Sequence, residues 1–239
     1  MKPNNRFAGD KPENMESKLL IIFVIDNSAA MTAGKMESVN NFLNSFYRSI
    51  QKGDDNPFSM DIIDKIDFSI VTYSDSVQTL RKASCIKKQE VAPRIKRSTN
   101  ASTCAIAAIN EALDIIEERK EWYREIEQGY YRPSIYLFSA KGITDTESEE
   151  YIALRNRVLE DYRRKRYRIF NTYLDSTAGS DLEQRNEIWL LTIHSLHELS
   201  ETINMTNNIP YDNLSIITPK NEGDAIDISD ESWLGEFDV

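Results

Sequence analysis

Lys18-Leu19-Leu20-Ile21-Ile22-Phe23-Val24-Ile25-Asp26-Asn27-Ser28-Ala29-Ala30-Met31 decides the fold. Its apolar run has no polar alternation and stops abruptly at Asp26, the pattern of a strand covered on both faces in a parallel sheet. Downstream, Val39, Phe42, Leu43, Phe46 and Ile50 recur at helical spacing. Residues 66–73 read as a second strand, and Val77 to Leu80 as a short strand pairing with it in a hairpin. Ser102-Thr103 open a helix that buries Ile106, Ile109, Ala112, Leu113 and Ile116. Strands at 135–138, 168–174 and 188–193 alternate with helices at 147–164 and 195–204. The last helix carries Ser195 and Glu198 at capping-box spacing. The pattern predicts an α/β fold, a doubly wound and mostly parallel sheet with helices on both faces and one short antiparallel edge strand.

Composition narrows the function. The 239 residues hold 29 Lys+Arg against 39 Asp+Glu, a formal charge of −10 that argues against a nucleic-acid surface. No stretch has the roughly 18–20 apolar residues of a membrane span, and the polar N-terminus has no secretory apolar core. Cys85 and Cys104 lack metal spacing and read as free thiols of a cytoplasmic protein. With only His194 and His197, most histidine-based metal and nucleophile arrangements are excluded. The expected division is a disordered lead over 1–17, a domain over 18–218 and an acidic tail over 219–239.

In a doubly wound sheet the ligand crevice lies beyond the carboxyl ends of the strands. The loops after Ile25, before Thr103 and after Phe138 therefore carry the functional question. Asp26-Asn27-Ser28-Ala29-Ala30-Met31 resembles the metal-ion-dependent adhesion loop of a von Willebrand factor A domain, Asp-x-Ser-x-Ser. Thr103 stands where that family places a threonine ligand, and 132–145 resembles the strand that normally ends in Thr-Asp-Gly. The closest flavour is the bacterial TerY-like tellurium-resistance group.

The resemblance implies the von Willebrand A fold and a metal site at Asp26, Ser28 and Thr103. That site is degenerate, because Ala30 replaces the second serine and Ala140 the second aspartate. Mg²⁺ prefers several oxygen ligands, so the expectation is no resident cofactor, with Mg²⁺ held at low affinity if at all. Lys141 points to solvent or places its ammonium in the vacated position beside Asp26.

The implied function is a non-enzymatic scaffold or adaptor in a bacterial stress-response or signalling complex. Its partner would be a protein, such as a kinase or phosphatase of a tellurium-resistance-type operon. The isolated chain is expected to be a monomer without nucleic-acid or membrane partners. Besides Asn27 and Lys141, the partner-binding candidates are Arg163, Arg164 and Arg166 of a basic run and Trp233, Leu234 and Phe237 of the acidic tail. The tail has two readings, a solubilising segment or one that docks in trans or on the basic run. Two other function classes remain: a Mg²⁺-dependent ligand-binding domain, and an enzyme using Cys104, whose place at a helix start favours thiolate.

Overall fold

The computed structural model describes residues 5–52, 63–140, 143, 146–174, 188, 191–193 and 195–207. In chain order the elements are β1 (Leu19–Asp26), α1 (Ala33–Lys52), β2 (Ile66–Tyr73), β3 (Val77–Cys85), α2 (Ala105–Glu125), β4 (Ser134–Ser139), α3 (Glu149–Arg163), β5 (Arg168–Tyr173), β6 (Leu191–Ile193) and α4 (Leu196–Asn207). They form one six-stranded sheet in the order β3-β2-β1-β4-β5-β6. All pairings are parallel except the β2–β3 hairpin.

Alternation along β1 explains its unbroken apolar run. Leu20, Ile22 and Val24 pack in a core with α2 and α3, while Leu19, Ile21, Phe23 and Ile25 pack in a second core with α1 and α4. Phe23 centres the second core, its ring 4.8 Å from Phe68, edge-on, and 5.3 Å from Phe46. Chain connections leave β1 and β4 toward opposite sides of the sheet, so the strand order reverses between them. The crevice of such a sheet opens there, beyond Asp26 and Ser139.

Several boundaries differ from the sequence expectation. The hairpin strand β3 continues to Cys85 instead of stopping at Leu80. Its outer residues Gln78 and Lys82 face solvent, and a polar edge strand has no apolar run to mark it. Helix α2 starts at Ala105, with Cys104 in the capping position and no side-chain cap. Ser148 caps α3 by accepting the Tyr151 N–H (3.1 Å). In α4, Ser195 Oγ accepts the Glu198 N–H at 3.1 Å, as the capping spacing predicts. The expected strand over 188–193 is seen only as Leu191–Ile193; residues 189 and 190 lie outside the described residues.

The disordered lead is corrected for residues 5–17, which pack against α2. Phe7 is fully buried beneath the Arg119 guanidinium (4.8 Å), which also stacks on Trp122 (3.9 Å). Arg119 pairs with the buried Asp67 at 2.6 Å and with Asp10 at 3.2 Å. Arg6 pairs with Glu111 and Glu118, and Gln128 Nε2 donates to the carbonyls of Asn14 and Glu16. Burial, reinforced by the Asp67 charge, raises Tyr123 well above an ordinary phenol, so its hydroxyl stays protonated and donates to Asp67 (2.6 Å). Composition hides this segment because its anchors are one aromatic and scattered charges. Phe7→Ala is expected to destabilise the fold by about 3–5 kcal/mol. Met15→Ala, at an exposed side chain, should stay within about 0.5 kcal/mol. Denaturant midpoints of the two variants check both.

Candidate functional site

Parallel pairing sets the carboxyl ends of β1, β2 and β4 side by side. Asp26 is in register with Tyr73, and Ile25 with Phe138. Asp26 is buried, and both its carboxylate oxygens accept backbone donors: Oδ1 from Ser28 N (2.8 Å) and Oδ2 from Ala140 N (3.4 Å). Ser28 is fully buried, and its Oγ accepts the Ala30 N–H (3.3 Å), while its carbonyl accepts from Met31 N (3.1 Å). The loop after β1 is thus a self-bonded turn in which the two matching ligand side chains hold backbone.

A second segment, residues 89–104, walls this loop. Gln89 anchors its start, donating to the Phe68 carbonyl (2.8 Å) and accepting from the Tyr47 hydroxyl (2.9 Å). Ile95 is buried against α1, and its N–H and carbonyl are both bonded to the Asn40 side chain (2.8 and 3.0 Å). Asn27 Nδ2 donates to the Lys96 carbonyl (3.1 Å), and the Asn27 carbonyl accepts from Ser98 N (2.6 Å). Ala29 N donates to the Asn100 carbonyl (2.8 Å), and Arg97 Nη2 to the Ala29 carbonyl (2.8 Å). Cys104 N donates to the Ser74 carbonyl (2.8 Å), which ties the start of α2 to the end of β2.

The sequence reading placed Asp26, Asn27, Ser28 and Thr103 at one edge, and the chain path agrees. Thr103 is exposed and directly precedes Cys104, whose thiol feels the Asp26 charge. Asn27 acts as a strut between the two loops. The sequence reading missed Asn40, Gln89 and Asn100, polar residues that stitch 89–104 down. Their only sequence signal is an amide in otherwise unpatterned or helical surroundings. It also missed Tyr73, raised well above an ordinary phenol by burial and then by Asp26, Cys104 and Tyr173.

Other candidates fall elsewhere. Arg163 ends α3, and Arg164 and Arg166 lie between α3 and β5, at the amino edge of the parallel strands, at the opposite end of the sheet from the crevice. Glu160 pairs with Arg163 (3.6 Å) and Arg164 (2.8 Å), and Asp161 with Arg166 (3.2 Å). Lys141, His194, Trp233, Leu234 and Phe237 lie outside the described residues. His197 is exposed on α4.

The thiolate expectation for Cys104 is corrected. Burial, with smaller contributions from Asp75 and Asp26, raises its pKa above the ordinary thiol value despite a backbone hydrogen bond acting the other way. Alkylation of Cys104 should therefore be slow at pH 7 and still climbing at pH 9, measured by mass spectrometry across a pH series. A plateau below pH 8 would contradict this.

As a metal centre the arrangement fits poorly. Among the described residues Asp26 is the carboxylate of the β1 loop, its oxygens are turned onto backbone N–H groups, and Ser28 Oγ is enclosed, while Asp75 beyond β2 accepts from Asn100 Nδ2 (2.6 Å). Among the described residues no three His, Cys, Asp or Glu side chains group as a metal site. None of their helices is long and apolar enough to cross a membrane.

The sequence matches the family model of the von Willebrand factor type A domain over residues 21–184. Comparison with curated protein sequences finds no match. Among solved structures, proximal thread matrix protein 1 from the mussel byssus is similar at 16% identity and TM-score 0.50, over 85% of this chain and 48% of that one. The same mussel protein with a zinc-occupied MIDAS motif is similar at 15% identity and TM-score 0.50, over 86% of this chain and 48% of that one. BatB from Bacteroides thetaiotaomicron is similar at 12% identity and TM-score 0.49, over 78% of this chain and 96% of that one. The present chain spans about half the length of the mussel protein, and identities this low speak to fold alone.

Proposed function

The chain belongs to the von Willebrand factor type A family, and from that membership and the strand-end geometry we propose that it is a non-enzymatic protein–protein interaction module with a degenerate metal position. The observation that carries this reading is the state of Asp26, whose two oxygens are taken by Ser28 N and Ala140 N. In the family pattern the positions of Ala30 and Ala140 hold a hydroxyl and a carboxylate. Here two methyl groups stand there, and two backbone N–H groups, of Ser28 and Ala140, occupy the carboxylate that remains. A dication entering would have to displace those bonds with few oxygens to replace them.

Fixed backbone around an unreactive crevice suits docking better than chemistry. The loops 27–31 and 98–103 are cross-bonded, so a partner would meet a preorganised surface and little ordering entropy would be lost. The exposed Ser102 and Thr103 lie on that surface. The sequence flavour of the TerY-like group supports a scaffold or adaptor role in a stress-response signalling complex, with a kinase or phosphatase as partner. Two free thiols suit a reducing compartment.

Capture of the partner from source cells tests the site. Thr103→Arg is expected to weaken binding at least tenfold, whereas the charge reversal R163E/R164E on the opposite edge should leave it within twofold. Replacing Mg²⁺ with EDTA should leave the affinity unchanged. A tenfold tightening by Mg²⁺, together with Mg²⁺ binding to the chain alone by calorimetry, would overturn the degenerate-site reading.

A further inference from the structure

The 89–104 segment carries one carboxylate, Glu90, against three cations, Arg94, Lys96 and Arg97. In an acidic chain such a cluster would ordinarily be neutralised. Several cations elsewhere do find partners: Lys82 with Asp10, Lys87 with Asp64, Lys88 with Glu13, Arg119 with Asp67, Arg164 with Glu160 and Arg166 with Asp161. Arg94, Lys96 and Arg97 are exposed, and among the described residues none of them has a carboxylate within ion-pair distance. Among the described residues, Arg97 alone of the three makes a side-chain hydrogen bond, to the Ala29 carbonyl.

The backbone beneath these cations is held firmly. Ile95, between Arg94 and Lys96, turns inward and is fastened by Asn40, and Asn27 grips the carbonyl of Lys96. Three charges therefore project from a fixed lip beside the strand-end crevice. Val91, 67% exposed, adds an apolar spot on the same segment.

We propose that this lip is the receptor for the chain's own acidic tail, residues 220–239. That segment holds Glu222, Asp224, Asp227, Asp230, Glu231, Glu236 and Asp238 against the single Lys220, with Trp233, Leu234 and Phe237 among them. Its carboxylates complement the three unpaired cations, and its large apolar side chains suit the exposed Val91. The basic run at 163–166 is the poorer receptor, because Glu160 and Asp161 already neutralise it.

Reach is no obstacle. Residues 208–219 span about 40 Å when extended, on the order of the diameter of a domain of this size. Tethering supplies an effective concentration in the millimolar range, so exposed ion pairs too weak to hold a free peptide suffice within one chain. The contact is intramolecular, so it holds or fails independently of any partner at the crevice.

Zero-length carbodiimide cross-linking of the full chain reads the contact, because it joins the Lys96 ammonium to a carboxylate only when the two touch. In an equal mixture of ¹⁴N- and ¹⁵N-labelled chains, Lys96 is expected to link to residues 222–238 of its own chain. R94E/R97E, which keeps Lys96, should lower the yield at least fivefold, as should 0.5 M NaCl. Mixed-isotope links would show docking between chains and overturn the proposal, as would links unaffected by R94E/R97E or no Lys96–tail link at all. Hydrogen exchange gives a second reading. Replacing the seven tail acids with Asn or Gln should speed exchange at 91–97 at least threefold, and unchanged exchange in a variant with unaltered thermal unfolding would sink the idea.

Discussion

Parallel pairing of β1 with both β2 and β4 is the constraint on which the rest depends. It buries β1 on both faces between two helical layers, which is why residues 19–25 are apolar without exception. It also ends three strands at one edge, with Asp26 beside Tyr73 and above the end of β4. Each of these parallel connections needs a crossover, and the crossovers leave β1 and β4 in opposite directions. The crevice is a consequence of that topology before any side chain is considered.

What the crevice can do follows from how its polar groups are satisfied. A buried carboxylate needs compensating donors, and Asp26 finds them in the backbone at Ser28 and Ala140. Loop 89–104 repeats the same logic on a larger scale. Lacking helix and strand after Lys88, it is kept in place by amide side chains, with Asn27, Asn40 and Gln89 supplying bonds that regular structure would otherwise supply. The fixed position of these loops and the satisfaction of Asp26 therefore come from the same kind of interaction.

The N-terminal segment uses a different device. Its stability rests on one aromatic ring and a buried ion-pair network, with Arg119 shared between Asp67, Asp10 and three aromatic faces. Segment 5–17 thereby covers the edge where β3 meets α2 and extends the packed region beyond the sheet.

Burial determined the elements, because it leaves an unbroken apolar run where both faces of a strand are covered, as in β1, and a 3.6-residue repeat where one face of a helix is, as in α1 and α2. Loop chemistry also determined that Asp26, Ser28 and Thr103 share an edge, since a doubly wound order puts strand ends together. Polar segments without a repeat were silent: the extension of β3 to Cys85, the docking of 5–17 and the anchoring of 89–104 each depend on partners distant in sequence. The Cys104 thiol shows the limit most clearly. A helix start predicts a lowered pKa, yet burial beside Asp75 and Asp26 raises it, and those neighbours exist only after the chain has folded. By itself the sequence determined what repeats locally; tertiary structure decided which charges meet, because electrostatics depends on distance through space rather than separation along the chain.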